Sequence, residues 1–258
     1  MKTPETKIAI ILYNFRELCK DEAGLDSTLE KLSSIGYESV QVSGIGPIAN
    51  EAVRDCMERH NLHCCAIHEN LENLTANFAA TSEKMSTLGC EIVALGHPGN
   101  DYWSAEGAEK LAAILDKAGE KFTAARQMLA YHNHDTEFEK FNGCTYLQTI
   151  YAKTSPQNLY SELDVHWVSR GGGDPAQWIS NLKGRAPIVH FKDMVIADKI
   201  PVFCEVGEGN LNWNAIINAC EHSGTRWYVI EQDQPFGTRD IFESAEISFN
   251  NLKKMGVK

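Results

Sequence analysis

The sequence predicts an α/β protein, a single TIM-barrel domain of the (β/α)8 type covering residues 1–258. Three observations predict this fold class. Eight short apolar runs with the character of buried parallel strands alternate with stretches of helical spacing. The length of 258 residues is ordinary for a closed barrel of this kind. No G-x-G-x-x-G follows the first run, which disfavours an open sheet of the dinucleotide-binding type.

The first half of the chain supplies four strand–helix units. The predicted strands cover residues 7–13, 37–44, 62–68 and 90–98, and the predicted helices cover about 26–35, 48–60, 74–89 and 104–125. Gly36 and Gly89 follow two of these helices. Glycine favours the left-handed conformation that ends a helix, so both glycines predict helix ends.

Four apolar runs in the second half each end on side chains that can bind a metal or move a proton. They read MLAYHNHDTE (128–137), LYSELDVHW (159–167), PIVHFKD (187–193) and WYVIEQD (227–233). Helices are predicted near 143–153, 174–182, 212–223 and 239–254, with Asp174 as a cap and Pro175 in the first turn. Since the carboxyl ends of parallel strands meet at one mouth of a barrel, these runs predict one shared site.

Charge and composition disfavour several classes of partner. The chain has 24 Lys and Arg against 35 Asp and Glu, a net charge of −11, which disfavours binding to the phosphate backbone of nucleic acids. We find no signal-peptide pattern and no apolar run of membrane-spanning length, so we expect a cytoplasmic protein with no membrane partner. The eight cysteines contain no C-x-x-C pair and predict reduced thiols rather than a disulfide framework.

Three strand-end residues form a candidate metal set: Asp164, His190 and Glu231. One imidazole with carboxylates suits a divalent ion such as Mn, Mg, Co or Zn. Taken singly, Asp164 can equally cap a helix and His190 can be a hydrogen-bonded structural residue. A carboxylate such as Glu231 at the end of a buried strand needs a partner. On successive strands of one barrel, the three together favour a metal site.

The segment YHNHDTEF (131–138) offers more candidates than one ligand position needs. His132 and His134 share one strand face, and Asn133 points the other way. The two histidines can bind a metal, donate hydrogen bonds to substrate hydroxyls or orient a carboxylate. Glu137 lies just beyond, as a fourth ligand, a proton-shuttling base or an exposed loop residue.

The motifs YHNHDTEF, ELDVHWV, IVHFKDM, EVGEGNLNW and IEQDQ, in this order, resemble the xylose isomerase-like TIM barrel superfamily. Within it they look like the sugar phosphate isomerase/epimerase group, relatives of inosose dehydratase and ketose 3-epimerases. The resemblance implies one divalent ion, usually manganese, held by Glu, Asp, His and Glu from successive strands. Asp164, His190 and Glu231 match the last three positions. Ketose epimerases have the first Glu at the strand end, where this chain has Tyr131 or His132. Glu137 is therefore the expected first ligand, with His132 or His134 as alternatives.

The resemblance also implies an activity, namely metal-dependent isomerisation or epimerisation of a sugar or keto-sugar through a metal-stabilised enediolate. Glu137 and Glu231 are then the expected catalytic residues. Six residues are expected to contact the substrate: His68, His97, His132, His134, His166 and Lys192. Trp103, Trp167 and Phe236 are candidates for stacking on a sugar ring.

The expected substrate is a small sugar or cyclitol. We expect it to carry no phosphate, because no Gly-rich phosphate-binding turn follows the last two strands. A homo-oligomer is possible. Three alternatives stay open. The first is a lyase or dehydratase of the inosose dehydratase or keto-glycoside elimination type. The second is an AP endonuclease-like phosphodiesterase, and the third is a non-catalytic sugar-binding barrel.

Overall fold

In the computed structural model, which describes residues 4–258, eight parallel strands close into a barrel. Each strand pairs with the next along the chain, and the eighth pairs with the first. This confirms the predicted (β/α)8 fold. The barrel strands are Ile8–Ile11, Ser39–Val42, His63–Glu69, Ile92–Leu95, Met128–His132, Tyr160–Asp164, Ile188–Phe191 and Trp227–Ile230.

The surrounding helices follow the predicted alternation. Gly36 and Gly89 adopt φ of 116° and 70° and end their helices as predicted. The predicted helix over 74–89 is two helices in the structure, and Asp174 caps its helix by accepting a hydrogen bond from Gln177 N. The helices are Glu22–Ile35, Asn50–Arg59, Leu71–Thr75, Phe78–Leu88, Ala105–Ala124, Tyr146–Ala152, Val165–Arg170, Pro175–Asn181, Trp213–Ser223 and Ile241–Lys254.

The barrel interior is apolar at its amino end and polar at its carboxyl end. Its apolar part is a separate cluster of small and branched side chains: Ala9, Ile11, Cys65, Ala66, Ile92, Ala94, Ala130, Ile188 and Val229. The larger core lies between the strands and the helices. Because side chains alternate along a strand, the inward position after Ile188 is His190 and the one after it is Lys192. The strand pattern therefore places the polar groups above an apolar floor.

Three features of the carboxyl end were not predicted. The run over 159–167 was expected to be extended, but the strand ends at Asp164 and Val165–Arg170 is a helix. The chain after the seventh strand forms an antiparallel hairpin of Asp193–Ala197 and Ile200–Cys204. A smaller hairpin joins Lys140–Phe141 to Cys144–Thr145. Both hairpins lie in the loops that surround the mouth.

All eight cysteines are free thiols in the structure, and seven of them are buried. Across residues 4–258, we find no helix with the length and apolar character needed to cross a membrane.

Candidate metal centre

Four potential metal ligands from four successive strands meet at the carboxyl end of the barrel. His132 and Asp164 are the last residues of their strands, His190 lies within the seventh strand, and Glu231 directly follows the eighth. One ligand atom from each residue lies within 4.8 Å of the others, and all four residues are buried. The structure thus brings together Asp164, His190 and Glu231 as expected from the sequence, with His132 as the fourth member.

Two of these residues, His132 and Glu231, line a cavity of about 500 Å³ that opens at the mouth of the barrel. Its lining combines polar groups with a few apolar and aromatic surfaces, which is the usual composition of a small-molecule site. The lining residues are Ile11, Tyr13, Ser43, His68, Glu69, Asn70, Gly96, His97, His132, His134, Trp167, Lys192, Glu231 and Asp233.

Asp164 is fully buried and leaves one carboxylate oxygen without a hydrogen-bond partner among the described residues. Its Oδ1 accepts a hydrogen bond from Trp167 N at 3.0 Å and so caps the following helix. Its backbone N–H donates to Asn133 Oδ1 at 3.1 Å. Burial raises the pKa of Asp164 to about 7. A buried carboxylate oxygen without a donor is costly unless something else satisfies it, and a cation at this position would do so.

His190 lies between two carboxylates at the centre of the group. Its Nδ1 is 2.5 Å from Glu231 Oε2, and its Nε2 is 2.9 Å from Glu162 Oε1. Burial alone would lower the pKa of His190, but the two carboxylates raise it to about 10. In the metal-free protein the ring is therefore an imidazolium, so a positive charge already occupies the space between these carboxylates.

Lys192 lies in the wall of the cavity and forms ion pairs with Glu231 and Asp233. Its Nζ is 3.2 Å from Glu231 Oε1 and 2.5 Å from Asp233 Oδ2, and it lies 4.8 Å from the centre of the Trp167 ring. Burial opposes the charge on Lys192, yet the surrounding carboxylates raise its pKa. Burial likewise opposes ionisation of Glu231, but Lys192 and His190 hold its pKa well below the usual range. Both groups are therefore charged at neutral pH.

His132 and His134 are neutral histidines on the same side of the cavity. Their ring centroids are 4.9 Å apart. Burial lowers the pKa of both rings, and the neighbouring His190 lowers that of His132 further. Nδ1 of each ring is buried without a hydrogen-bond partner among the described residues. A neutral imidazole is the form that can bind a metal ion through one of its two nitrogens.

The structure does not bring Glu137, the expected first ligand, into this group. The side chain is fully buried, so the exposed-loop alternative is wrong. Its Oε1 accepts a hydrogen bond from Tyr131 Oη at 3.0 Å. Its Oε2 accepts from His134 N and Thr136 Oγ1, each at 2.9 Å. The carboxylate is thus satisfied by its own loop, and it fixes the backbone that follows His132.

Of the six expected substrate contacts, five line the cavity: His68, His97, His132, His134 and Lys192. The sixth, His166, is buried against Trp167 and Phe203, with ring centroids 4.7 and 4.9 Å away, and burial lowers its pKa to about 3. It is not among the lining residues, although Trp167, the next residue of the same helix, is one of them. Among the aromatic candidates, Trp167 lines the cavity.

Sequence reasoning missed Glu162, the most highly connected carboxylate of the site. It accepts a hydrogen bond from Gln41 Nε2 at 2.6 Å and contacts the rings of His68 and His190. A signal was present, because Glu162 precedes Asp164 by two residues on one strand and must face the same side. Asp233, the partner of Lys192, was also missed.

The donor set fits a divalent ion. Two imidazoles and two carboxylates from separate strands can each offer one atom, and the partnerless oxygen of Asp164 belongs to this set. A second group, His68, His132, Glu162 and His190, shares two of its histidines with the first. The two groups therefore describe alternative positions for one ion rather than two independent sites.

Comparison with solved structures finds the same fold in several proteins. A sugar phosphate isomerase/epimerase from Parabacteroides distasonis superposes with a TM-score of 0.80 at 23% identity, covering 97% of this chain and 94% of that one. An L-ribulose 3-epimerase gives 0.72 at 16%, covering 96% and 94%. A family 2 AP endonuclease from Brucella melitensis gives 0.72 at 15%, covering 95% and 97%.

No protein-family model and no curated sequence matches the chain. At identities of 23% and below, the structural likeness shows the fold alone, which is the (β/α)8 barrel that the strand–helix alternation predicted.

Proposed function

We propose that this protein is an enzyme that isomerises or epimerises a sugar or keto-sugar with one bound divalent metal ion. One observation carries the proposal: ligand side chains from four successive strands converge within 4.8 Å of one another beside a cavity of about 500 Å³. The proposed ligands are His132, Asp164, His190 and Glu231. Manganese is the preferred ion, and Mg, Co and Zn are compatible with the same mixture of imidazole and carboxylate.

A divalent ion held by His132, Asp164, His190 and Glu231 would supply Lewis-acid chemistry, which would acidify the C–H bond between the carbonyl and the adjacent hydroxyl of a keto-sugar. The surrounding side chains must then move the proton. Glu231 is ionised and lines the cavity, so it can accept a proton. His134 is neutral and also lines the cavity. Return of the proton to the neighbouring carbon gives isomerisation, and return from the opposite face gives epimerisation.

The cavity wall supports a neutral sugar or cyclitol as substrate. The Trp167 ring offers an apolar face, and His97 offers a polar group at the mouth. Among the described lining residues, Lys192 is the one lysine or arginine, and it is already paired with two carboxylates. A phosphate group would meet Glu69, Glu231 and Asp233 without a free cation. This charge pattern also disfavours a nucleic-acid backbone.

Lys192 favours elimination as a second candidate reaction. Its ammonium is buried in the cavity wall, and its pKa is raised by neighbouring carboxylates. Because the raised pKa keeps the proton on Lys192, this ammonium can donate a hydrogen bond to a departing hydroxyl or glycosidic oxygen and stabilise its developing negative charge while water supplies the proton, a role that isomerisation does not require. The resulting activity would be that of a dehydratase or keto-glycoside lyase.

The test follows solvent deuterium incorporation into a panel of ketoses, by proton NMR, while the chelator-treated protein is titrated with Mn²⁺. The wild type should catalyse exchange only with metal. Asp164→Asn should bind Mn²⁺ at least ~100-fold more weakly and lose exchange, although Oδ1 still caps the helix. Asp198→Asn is the matched control, because Asp198 is exposed in a hairpin turn with φ of 49°, a conformation that asparagine tolerates.

Each other outcome rejects a specific part of the proposal. Absence of Mn²⁺ binding by the wild type would reject the metal enzyme, and sugar binding without metal would support a non-catalytic barrel. Metal-dependent loss of water or of an aglycone would replace isomerisation by elimination. Cleavage of an abasic DNA duplex would establish the phosphodiesterase instead.

The free thiols support a cytoplasmic location as part of the proposal.

A further inference from the structure

Glu162 lies beneath the proposed metal ligands, inside the barrel. It precedes Asp164 by two residues on the sixth strand, so both side chains face the interior and Glu162 lies one layer deeper. It is fully buried and does not line the cavity. A buried carboxylate at this depth is expensive to maintain unless its oxygens are fully satisfied.

Both oxygens of Glu162 face histidine rings. Oε1 is 2.9 Å from His190 Nε2 and accepts a hydrogen bond from Gln41 Nε2 at 2.6 Å. Oε2 is 2.5 Å from His68 Nε2 and 3.8 Å from His132 Nδ1. One carboxylate therefore contacts the undersides of both histidines that we propose as metal ligands.

The position of Glu162 favours one ring nitrogen of each histidine for the metal ion, because Glu162 is hydrogen-bonded to His190 Nε2 and lies below His132 Nδ1, although beyond hydrogen-bond distance of it. Since His190 Nε2 faces Glu162, its Nδ1 faces Glu231 and the outer group. In His132, Nδ1 faces down toward Glu162 and is buried without a hydrogen-bond partner among residues 4–258. The other ring nitrogen, Nε2, is then the one that can bind the metal ion. A histidine ligand commonly donates the N–H of its other nitrogen to a carboxylate, which fixes the tautomer and the ring orientation.

We propose that Glu162 is a positioning residue that orients His190 and His132 for the metal ion without binding the ion itself. The inference rests on the metal centre of the proposed function and deepens it. His68 supports Glu162 from the side, because its Nε2 contacts Glu162 and its Nδ1 lies 3.1 Å from Ser43 Oγ. With both nitrogens engaged, His68 forms a rigid wall of the cavity and not a substrate hydrogen-bonding group.

The competing arrangement has the ion in the inner group, with Glu162 and His68 as ligands. Hydrogen bonding favours the outer position. Glu162 and His68 are already satisfied by Gln41, Ser43 and each other. Asp164 Oδ2, in the outer group, has no such partner among the described residues.

The test measures Mn²⁺ and Co²⁺ dissociation constants of the full-length protein by calorimetry, together with the visible absorption of bound Co²⁺. Glu162→Gln keeps the shape of the side chain but presents an NH₂ group to one of the histidines. We expect its dissociation constants to rise about 10- to 100-fold and its Co²⁺ spectrum to change. Glu162→Asp retains the charge and should recover part of the affinity. Glu91→Gln, at the opposite end of the barrel, removes an exposed carboxylate that pairs with Arg226 and should match the wild type.

Three results would overturn the proposal. If Glu162→Gln leaves the dissociation constants and the Co²⁺ spectrum unchanged, Glu162 does not orient the ligands. If that variant then differs from the wild type only in a lower thermal stability without metal, Glu162 has a purely structural role. Complete loss of binding in Glu162→Gln, with wild-type affinity in Asp164→Asn, would make Glu162 a ligand of an inner ion. A wild type that binds neither ion would remove the centre and this role together. Metal binding without exchange into any sugar would reject only the proposed reaction.

Discussion

Metal binding should depend steeply on pH, because the ion competes with protons for two of its ligands. Burial alone would lower the pKa of His190, but Glu162 and Glu231 raise it to about 10. Burial raises the pKa of Asp164 to about 7. Each group binds a metal only after it loses its proton. The sign is therefore the same for both ligands: the apparent affinity rises with pH until the pKa of each group is passed.

The magnitude follows from these two values. His190 stays below its pKa between pH 6 and pH 8, so it should contribute a factor of roughly 100 in affinity over this interval. Asp164 passes through its pKa in the same interval and should add roughly another factor of ten. The Mn²⁺ dissociation constant should therefore fall about 1,000-fold from pH 6 to pH 8, equivalent to about 4 kcal/mol.

Calorimetry in pairs of buffers with different ionisation enthalpies measures both the affinity and the protons released per ion. About two protons should be released at pH 6, about one and a half at pH 7 and about one at pH 8. The control is Asp198→Asn, which should reproduce the wild-type curve. A dissociation constant that changes less than about tenfold across the interval, or binding without proton release, would refute the reasoning.

Three further substitutions test the surroundings of the centre. Glu137→Gln should leave the Mn²⁺ dissociation constant within about threefold of wild type, because the Glu137 carboxylate is hydrogen-bonded within its own loop. A loss of Mn²⁺ affinity as large as that of Asp164→Asn would make Glu137 a ligand. Asp193→Asn should lower the free energy of unfolding by about 2–4 kcal/mol in urea denaturation. The reason is that the buried carboxylate accepts hydrogen bonds from Trp213 Nε1 and from the backbone amides of Gly207 and Gly209. A change below about 0.5 kcal/mol would contradict this prediction. Lys192→Met should lower kcat at least ~100-fold while one ion still binds, and an unchanged kcat would exclude Lys192 from stabilising the negative charge that develops on the substrate.

The barrel was predictable because its determinants are local. Each strand is a short apolar run bounded by polar residues or glycine, and parallel pairing buries both faces of such a run. Gly36 and Gly89 end helices through their own backbone preference, which needs no distant partner. The hairpin over residues 193–204 was not predictable in the same way. Its exposed Ile196 and Ile200 do not follow the burial pattern that identifies a strand.

The candidate metal set was predictable to the extent that the strand ends were. Asp164 ends its strand as expected, but it also caps a helix, and His166 in that helix does not line the cavity. Glu137 was the nearest glutamate in sequence, yet a short turn folds it back onto its own loop. In the sequence, the only signal for Glu162 was the alternation of side chains along the strand, which places it on the same face as Asp164. Its importance became visible only when strands far apart in sequence placed His68 and His190 against it.

The charges at the floor of the cavity suit a buried site that exchanges protons for a divalent ion, as the proposed function requires. The strongly interacting charged groups are four carboxylates and two bases: Glu162, Asp164, Glu231, Asp233, Lys192 and His190. With Asp164 protonated and His190 charged, three negative charges face two positive ones. A divalent ion that displaces these two protons leaves four negative charges facing three positive ones, so the net charge does not change. Because uncompensated charge is costly in a buried environment, this equality lowers the electrostatic barrier to loading the ion. A monovalent cation that displaced the same two protons would leave one additional negative charge, so the proton exchange itself selects for divalent ions.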